Sequence, residues 1–202
     1  IDPLSKPLIH VWDRGATGMY FTSIPILQEI NATTTEGTTT ITVKKTIHAT
    51  SSVLMFVDTL TGYVYGYVLD TGKIFQITNT SLPGISDAYI WNNGRKIILR
   101  YIDQEKNNIV GVIATIGTIN QNTEPLPLQN IKYLNSEVIS VAVNKTKTEA
   151  SYMVSTEKGS SVYTTDGDTS RFVVSSPFKE WDLSYGGNTL YVTPKPSAYV
   201  EG

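Results

Sequence analysis

Val53-Leu54-Met55-Phe56-Val57, Tyr63-Val64-Tyr65-Gly66-Tyr67-Val68-Leu69, Ile74-Phe75-Gln76-Ile77-Thr78, Asp87-Ala88-Tyr89-Ile90-Trp91 and Lys96-Ile97-Ile98-Leu99-Arg100-Tyr101-Ile102 follow one another as short apolar runs. Ile109-Val110-Gly111-Val112-Ile113-Ala114 is a sixth. Thr61-Gly62, Asp70-Thr71-Gly72, Leu82-Pro83-Gly84, Asn92-Asn93-Gly94 and Asn107-Asn108 separate them. Runs rich in β-branched and aromatic residues, punctuated by Gly, Asn, Asp and Pro, are the pattern of an antiparallel meander. The fold class is therefore all-β.

Working outward, an order of elements repeats. Ile85-Ser86-Asp87-Ala88-Tyr89-Ile90-Trp91, a turn at Asn93-Gly94 and Ile97-Ile98-Leu99 form the clearest copy. Val138-Ile139-Ser140-Val141-Ala142-Val143 followed by Ala150-Ser151-Tyr152-Met153-Val154 is another. Trp181-Asp182-Leu183-Ser184-Tyr185, Gly186-Gly187 and Leu190-Tyr191-Val192 is a third. The pair of runs flanking Asp70-Thr71-Gly72 likewise recurs around Asp166-Gly167-Asp168. Successive units are offset by roughly 40 to 50 residues, the period of four-stranded propeller blades.

We therefore expect a β-propeller of three to four blades, each an antiparallel four-stranded meander. One unit ends near Pro83, a second covers 85 to 134, a third 137 to 176, and a fourth begins at Trp181 with two strands. The first unit takes its opening strand from the N-terminal region, where residues 7 to 12 and 18 to 22 are two strand-sized runs. Residues 24 to 47, rich in Thr, read as a surface insertion carrying an exposed hairpin around Glu36-Gly37. A ring needs about four blades to close, and Tyr199-Val200 reads as the middle of an element, so the expectation is part of a larger propeller. The competing arrangement pairs residues 9 to 12 or 19 to 22 with the strand at 190 to 194 and closes a four-bladed ring.

Composition narrows the function classes. A net charge of −2 among 202 residues argues against a nucleic-acid surface, which requires clustered Lys and Arg. Lys44-Lys45 is an adjacent basic pair, and it reads as a solvated strand edge. With no cysteine there is neither a disulfide nor a thiolate nucleophile or ligand. The two histidines, His10 and His48, come without a Gly-x-Ser-x-Gly turn or zinc-ligand spacing. His10, between Ile9 and Val11, reads as a half-buried strand residue. Asp166-Gly167-Asp168-Thr169 offers hard oxygen ligands for calcium, but Asp and Gly here are better explained by tight hairpin geometry. We expect no cofactor, no metal and no catalytic residue.

Two groups of residues are candidates for binding. Asp87 and Asp182 stand at similar places in the opening strands of two units, where they would face a central channel as a polar pair. Tyr63, Tyr65 and Tyr67 alternate, so they share one strand face and could contact a ligand, although packing between blades would also require them.

Trp12-Asp13, Leu60-Thr61-Gly62-Tyr63-Val64-Tyr65, Thr78-Asn79-Thr80 with Pro83, residues 91 to 101 and Thr193-Pro194-Lys195-Pro196-Ser197-Ala198-Tyr199-Val200-Glu201-Gly202 resemble an uncharacterised bacterial family. Its members carry WD-repeat-like or Tol-type propeller repeats and come from small-genome lineages. The resemblance implies an extracytoplasmic, membrane-anchored propeller of the cell envelope, held to the membrane only through a segment outside this chain. It carries no catalytic residues across. The reading that follows is a non-catalytic binding or scaffold module whose partner is another protein or an envelope component. The alternative is a propeller associated with a hydrolase, with a glycosidase-like site at its channel or as the gating domain of a peptidase.

Overall fold

The computed structural model describes residues 9 to 36, 39 to 103, 108 to 119, 124 to 134, 137 to 144, 148 to 179 and 181 to 195; side chains are described outside residues 26 to 48. Among these residues the protein is all-β, with four antiparallel sheets and no helix. The first sheet contains β1 (Ala16–Glu36), β2 (Thr39–Asp58), β3 (Val64–Val68) and β4 (Ile74–Gln76) in that order. The second contains β5 (Ile85–Trp91), β6 (Lys96–Asp103), β7 (Asn108–Thr115) and β8 (Gln129–Leu134). The third contains β9 (Val138–Val143), β10 (Ala150–Thr156), β11 (Gly159–Thr165) and β12 (Ser170–Ser176). The fourth is the hairpin of β13 (Trp181–Gly186) and β14 (Thr189–Pro194).

Each four-stranded sheet is a meander in which sequence neighbours pair, through short connections except between β7 and β8, which residues 116 to 128 separate. At the β5–β6 turn, Asn92, Asn93 and Gly94 all have positive φ, 52°, 53° and 80°. Asn tolerates that region and Gly favours it, so this tripeptide reverses the chain at little cost.

The consecutive apolar residues of the central runs are buried because the second and third sheets pack on both faces. Alternate residues of a strand point to opposite sides. Ile97 and Leu99 join the layer between the first and second sheets, with Val53, Met55, Val57, Val64 and Ala88. Ile98, between them, joins the next layer, with Trp91, Ile113, Val138, Ala150 and Tyr152. Met153 and Val162 then meet Leu183 in a third layer, bordered by Trp181, Tyr185 and Val192. Ile97, Ile98 and Leu99 are fully buried, each stabilising the fold by about 1.5–3 kcal/mol.

The sheets therefore stack in chain order, and polar links at their edges hold them in place. Residues 124 to 128 run beside the end of the first sheet, where Thr78 and Leu126 form a bridge and Leu128 N–H donates to Thr80 Oγ1 at 2.7 Å. Lys96 Nζ in the second sheet reaches Asp168 Oδ1 in the third at 2.7 Å. Ser140 Oγ in the third donates to Asp182 Oδ1 in the fourth at 2.9 Å and accepts from Leu183 N–H at 3.1 Å.

Two sequence expectations change. Residues 9 to 12 are not a strand; Trp12 instead lies over the outer face of the first sheet, its ring 5.1 Å from that of Phe56 and 4.5 Å from that of Tyr65. His10 is exposed and its Nδ1 sits 3.3 Å from Asp13 Oδ1, because no sheet covers it. The stretch 24 to 47, expected as an exposed hairpin, forms the outer part of the β1–β2 pair, from Ile24↔Ser51 to Glu36↔Thr39, with no third strand among the described residues. This ribbon is about 40 Å long at about 3.3 Å per residue. Gly37, in its expected turn, lies outside the described residues, as do Tyr199 and Val200. Residues 19 to 22 belong to β1, and among the described residues β14 pairs with β13 alone.

The contact between β1 and β5 depends on one glycine. Gly18 has φ +67°, and a Cβ there would lie 2.6 Å from Ala88 Cβ and 3.0 Å from the Ala88 carbonyl oxygen. Both the backbone conformation and the close approach exclude a side chain. Gly18→Ala is expected to lower unfolding stability by about 2–4 kcal/mol. Urea denaturation measures this; an unchanged midpoint would show that the two sheets do not meet there.

Candidate functional site

The opening strands of the four sheets, β1, β5, β9 and β13, come together in sequence, each beside the next. A cleft of about 570 Å³ opens there, lined by residues 18 to 21 of β1, 88 to 90 of β5 and Val143 of β9. Met19 and Phe21 are 69% and 67% exposed, high for large apolar side chains. They alternate with Tyr20, which packs into the first apolar layer. Tyr20 is half-buried against that layer and borders the cleft, while its two neighbours point outward.

A polar cluster adjoins this cleft. Asp87 Oδ2 accepts from Arg100 Nη1 at 2.8 Å, on the neighbouring strand β6. Burial raises the pKa of Tyr89 above its ordinary value, and the negative charges of Asp87 and Asp182 add to that. Arg100 opposes them through its charge and a hydrogen bond. Asp87 and Asp182 thus share one electrostatic neighbourhood centred on Tyr89. Asp182 accepts from Ser140 and lies 3.9 Å from Lys195 Nζ. Both carboxylates have protein partners, and this set can present a polar rim beside an apolar floor.

The tyrosines are distributed differently. Tyr65 and Tyr67 share the face of β3 opposite Val64 and Val68, while Tyr63 immediately precedes the strand and is half-buried. Tyr67 is buried, and Tyr65 is enclosed by Trp12 and Phe56, its ring stacked at 5.9 Å from that of Phe56. None of the three lines the cleft.

In the turn at Asp166, Asp166 Oδ1 accepts from Asp168 N–H at 2.8 Å and Thr169 N–H at 2.7 Å. These bonds, from Thr169 and then Asp168, hold its carboxyl below the ordinary value. Gly167, at φ +99°, lies on the Lys96 stem, where a Cβ would fall 2.5 Å from Lys96 Cδ. Asp168 takes the Lys96 ammonium. Among the described residues no group of three or more His, Asp or Glu is placed to hold a metal. The side chain of His48 lies outside the described residues.

Sequence reading passed over the most heavily bonded acid. Asp58 is fully buried at the end of β2. Its carboxylate accepts from Trp12 Nε1 at 3.1 Å, Leu60 N–H at 3.1 Å, Thr61 N–H at 2.8 Å and Thr61 Oγ1 at 2.9 Å. Arg14 Nε adds an ion pair at 3.1 Å, and its guanidinium also sits 4.9 Å from the centre of the Trp12 ring. The available signal was Asp58-Thr59-Leu60-Thr61-Gly62, in which an Asp side chain can satisfy N–H groups two and three residues on. Arg100 and Lys96 had no comparable signal, because their partners lie on other strands.

Comparison with known proteins adds nothing to this geometry: no family model matches the chain, and no curated protein or solved structure is significantly similar.

For Asp58, burial opposes ionisation, but the bonds from Thr61 and Trp12 and the charge of Arg14 outweigh it. Its carboxyl is held below the ordinary 3.8. A carboxyl with a lowered folded pKa stabilises above its unfolded value and loses that contribution as pH falls through the folded one. Thermal stability is expected to decline below about pH 4. Asp58→Asn should be less stable at neutral pH and show a shallower acid decline, with the shift of Asp166 leaving a residual slope. Parallel acid limbs in the two proteins would remove Asp58 from this account.

Proposed function

We propose that the chain is a non-catalytic binding module, built as consecutive blades of a β-propeller, whose recognition surface is the cleft where the opening strands meet. Three meanders and a hairpin stacked in chain order support the propeller reading. So does the convergence of their first strands, the position that lines the channel of such a ring. The resemblance to WD-repeat-like and Tol-type bacterial proteins supports the same reading and is the basis for placing the module outside the cytoplasmic membrane.

The observation that carries the binding function is the exposure of Met19 and Phe21 in that cleft. Large apolar side chains held on a strand and open to solvent suit an apolar partner surface. The rigid strand positions them before contact, which lowers the ordering cost of association. Asp87 and Asp182, whose charges act on the cleft residue Tyr89, would supply a polar surround, and their engagement with Arg100 and Ser140 supports recognition over acid–base chemistry. The partner fitting this pattern is a protein segment with an apolar or aromatic anchor.

The test is selection of displayed random peptides against the chain. Bound peptides should carry an aromatic or aliphatic anchor and should lose at least tenfold in affinity for Phe21→Ser. Tm of that variant should stay within a few degrees, since Phe21 is exposed. Peptides that bind wild type and Phe21→Ser equally would place recognition elsewhere.

A further inference from the structure

A second cleft, separate from the first, lies at the base of the β1–β2 ribbon and has a volume of about 510 Å³. It is bounded by residues 23 to 25 of β1, the β5–β6 turn and the segment after β7. Ile24, Pro25 and Ile119 make its apolar wall, while Ser23, Asn92, Asn93, Arg95, Lys96 and Thr118 supply polar groups. No carboxylate lines it, whereas two cations do.

The cations differ in a way that matters. Lys96 is 6% exposed, a burial that charged residues rarely reach without partners. Its ammonium has three donors; one goes to Thr115 Oγ1 at 3.0 Å and one to Asp168 Oδ1 at 2.7 Å. Arg95 is exposed, and among the described residues its guanidinium has no ion-pair partner. Its backbone is nevertheless fixed, with Arg95 N–H donating to the Asn92 carbonyl at 3.0 Å and Ile116 N–H donating to the Arg95 carbonyl at 2.8 Å. The positive φ of Asn92 and Asn93 completes a tight turn that carries two side-chain amides beside these cations.

We propose that this cleft binds the oxyanion of a small molecule, a carboxylate or a phosphate, with the body of the ligand lying on Ile24, Pro25 and Ile119. Arg95 makes the principal charge-assisted contact, for which its planar fork of donors is suited. Lys96 contributes its remaining donor from a site of low solvent exposure. The Asn amides and the hydroxyls of Ser23 and Thr118 satisfy the remaining oxygen lone pairs. Asp168, just behind Lys96, limits affinity by opposing a second negative charge. This site is independent of the peptide cleft and of Phe21.

The experiment titrates the full 202-residue chain, labelled with ¹⁵N, with inorganic phosphate and separately with acetate, at ionic strength held constant with sodium chloride. Saturable shifts are expected at the amides of Asn93, Arg95 and Thr118, and the tighter of the two probes identifies the anion class. Arg95→Ala, a change at an exposed side chain, should weaken binding about tenfold or more. Asp168→Asn should strengthen it several-fold if the variant folds, which the same spectra report. Shifts that never saturate, or an affinity that Arg95→Ala leaves unchanged, would overturn the proposal.

Discussion

A β-sheet whose strands are apolar on both sides must be covered twice. Leu99 and Ile97 point one way and Ile98 the other, and all three are excluded from water. A single covering layer would leave one of these faces exposed, at a cost of about 25 cal/mol for each Å² of apolar surface. The second sheet therefore needs a neighbour on each side, and the third sheet repeats the demand through Tyr152 and Met153. Stacking in chain order follows from short connections between consecutive meanders.

Burial alone does not set how the stacked sheets align, because it is non-directional. The alignment comes from directional contacts that cross between sheets, among them Thr78 with Leu126, Lys96 with Asp168, and Ser140 with Asp182. Gly18 then lets β1 approach β5 closely enough for the opening strands to converge. Function, in this reading, is a consequence of that convergence. Tyr20 packs in part against the core, and Met19 and Phe21 on either side of it face the cleft, with the Asp87–Arg100 pair and Tyr89 near them. On the outer face of the first sheet, Asp58, Arg14 and Trp12 form a bonded knot that fixes the N-terminal segment over Phe56 and Tyr65.

Much of the strand order was legible in the chain, because turns and apolar runs are local signals. Asn93-Gly94 marks its hairpin, and Ile97-Ile98-Leu99 marks a strand covered on both sides. The unit boundaries near Pro83, Leu134 and Ser176 agree with the observed sheets for the same reason. Residues 9 to 12 misled because an apolar segment containing Trp12 is read as a strand, whereas it serves as a cover with one hydrogen bond to Asp58. The exposed hairpin at 24 to 47 was legible from its Thr-rich alternation, but its continuity with the flanking strands was not, because its composition changes. The candidate site was legible only in part. Asp87 and Asp182 could be placed by their repeat positions, but Arg100 and Ser140, which hold them, are partners across strands and sheets. Met19 and Phe21 gave no sign of exposure, since outward and inward apolar residues look alike in a sequence. Lys96 beside the Asn-Asn-Gly turn reads as a surface charge until Asp168 and Gly167 are brought against it.

The stacking of sheets in chain order is tested most directly by proton–proton contacts across the layers, at pairs where no strand pairing could produce them. The account predicts nuclear Overhauser effects between the Ala88 methyl and Gly18 Hα, between a Val138 methyl and Gly111 Hα, and between the Met55 methyl and Gly94 Hα. These should accompany the contacts expected within each meander. Meander contacts without any of the three cross-layer effects would show correctly formed sheets that do not stack in this way, and would contradict the account.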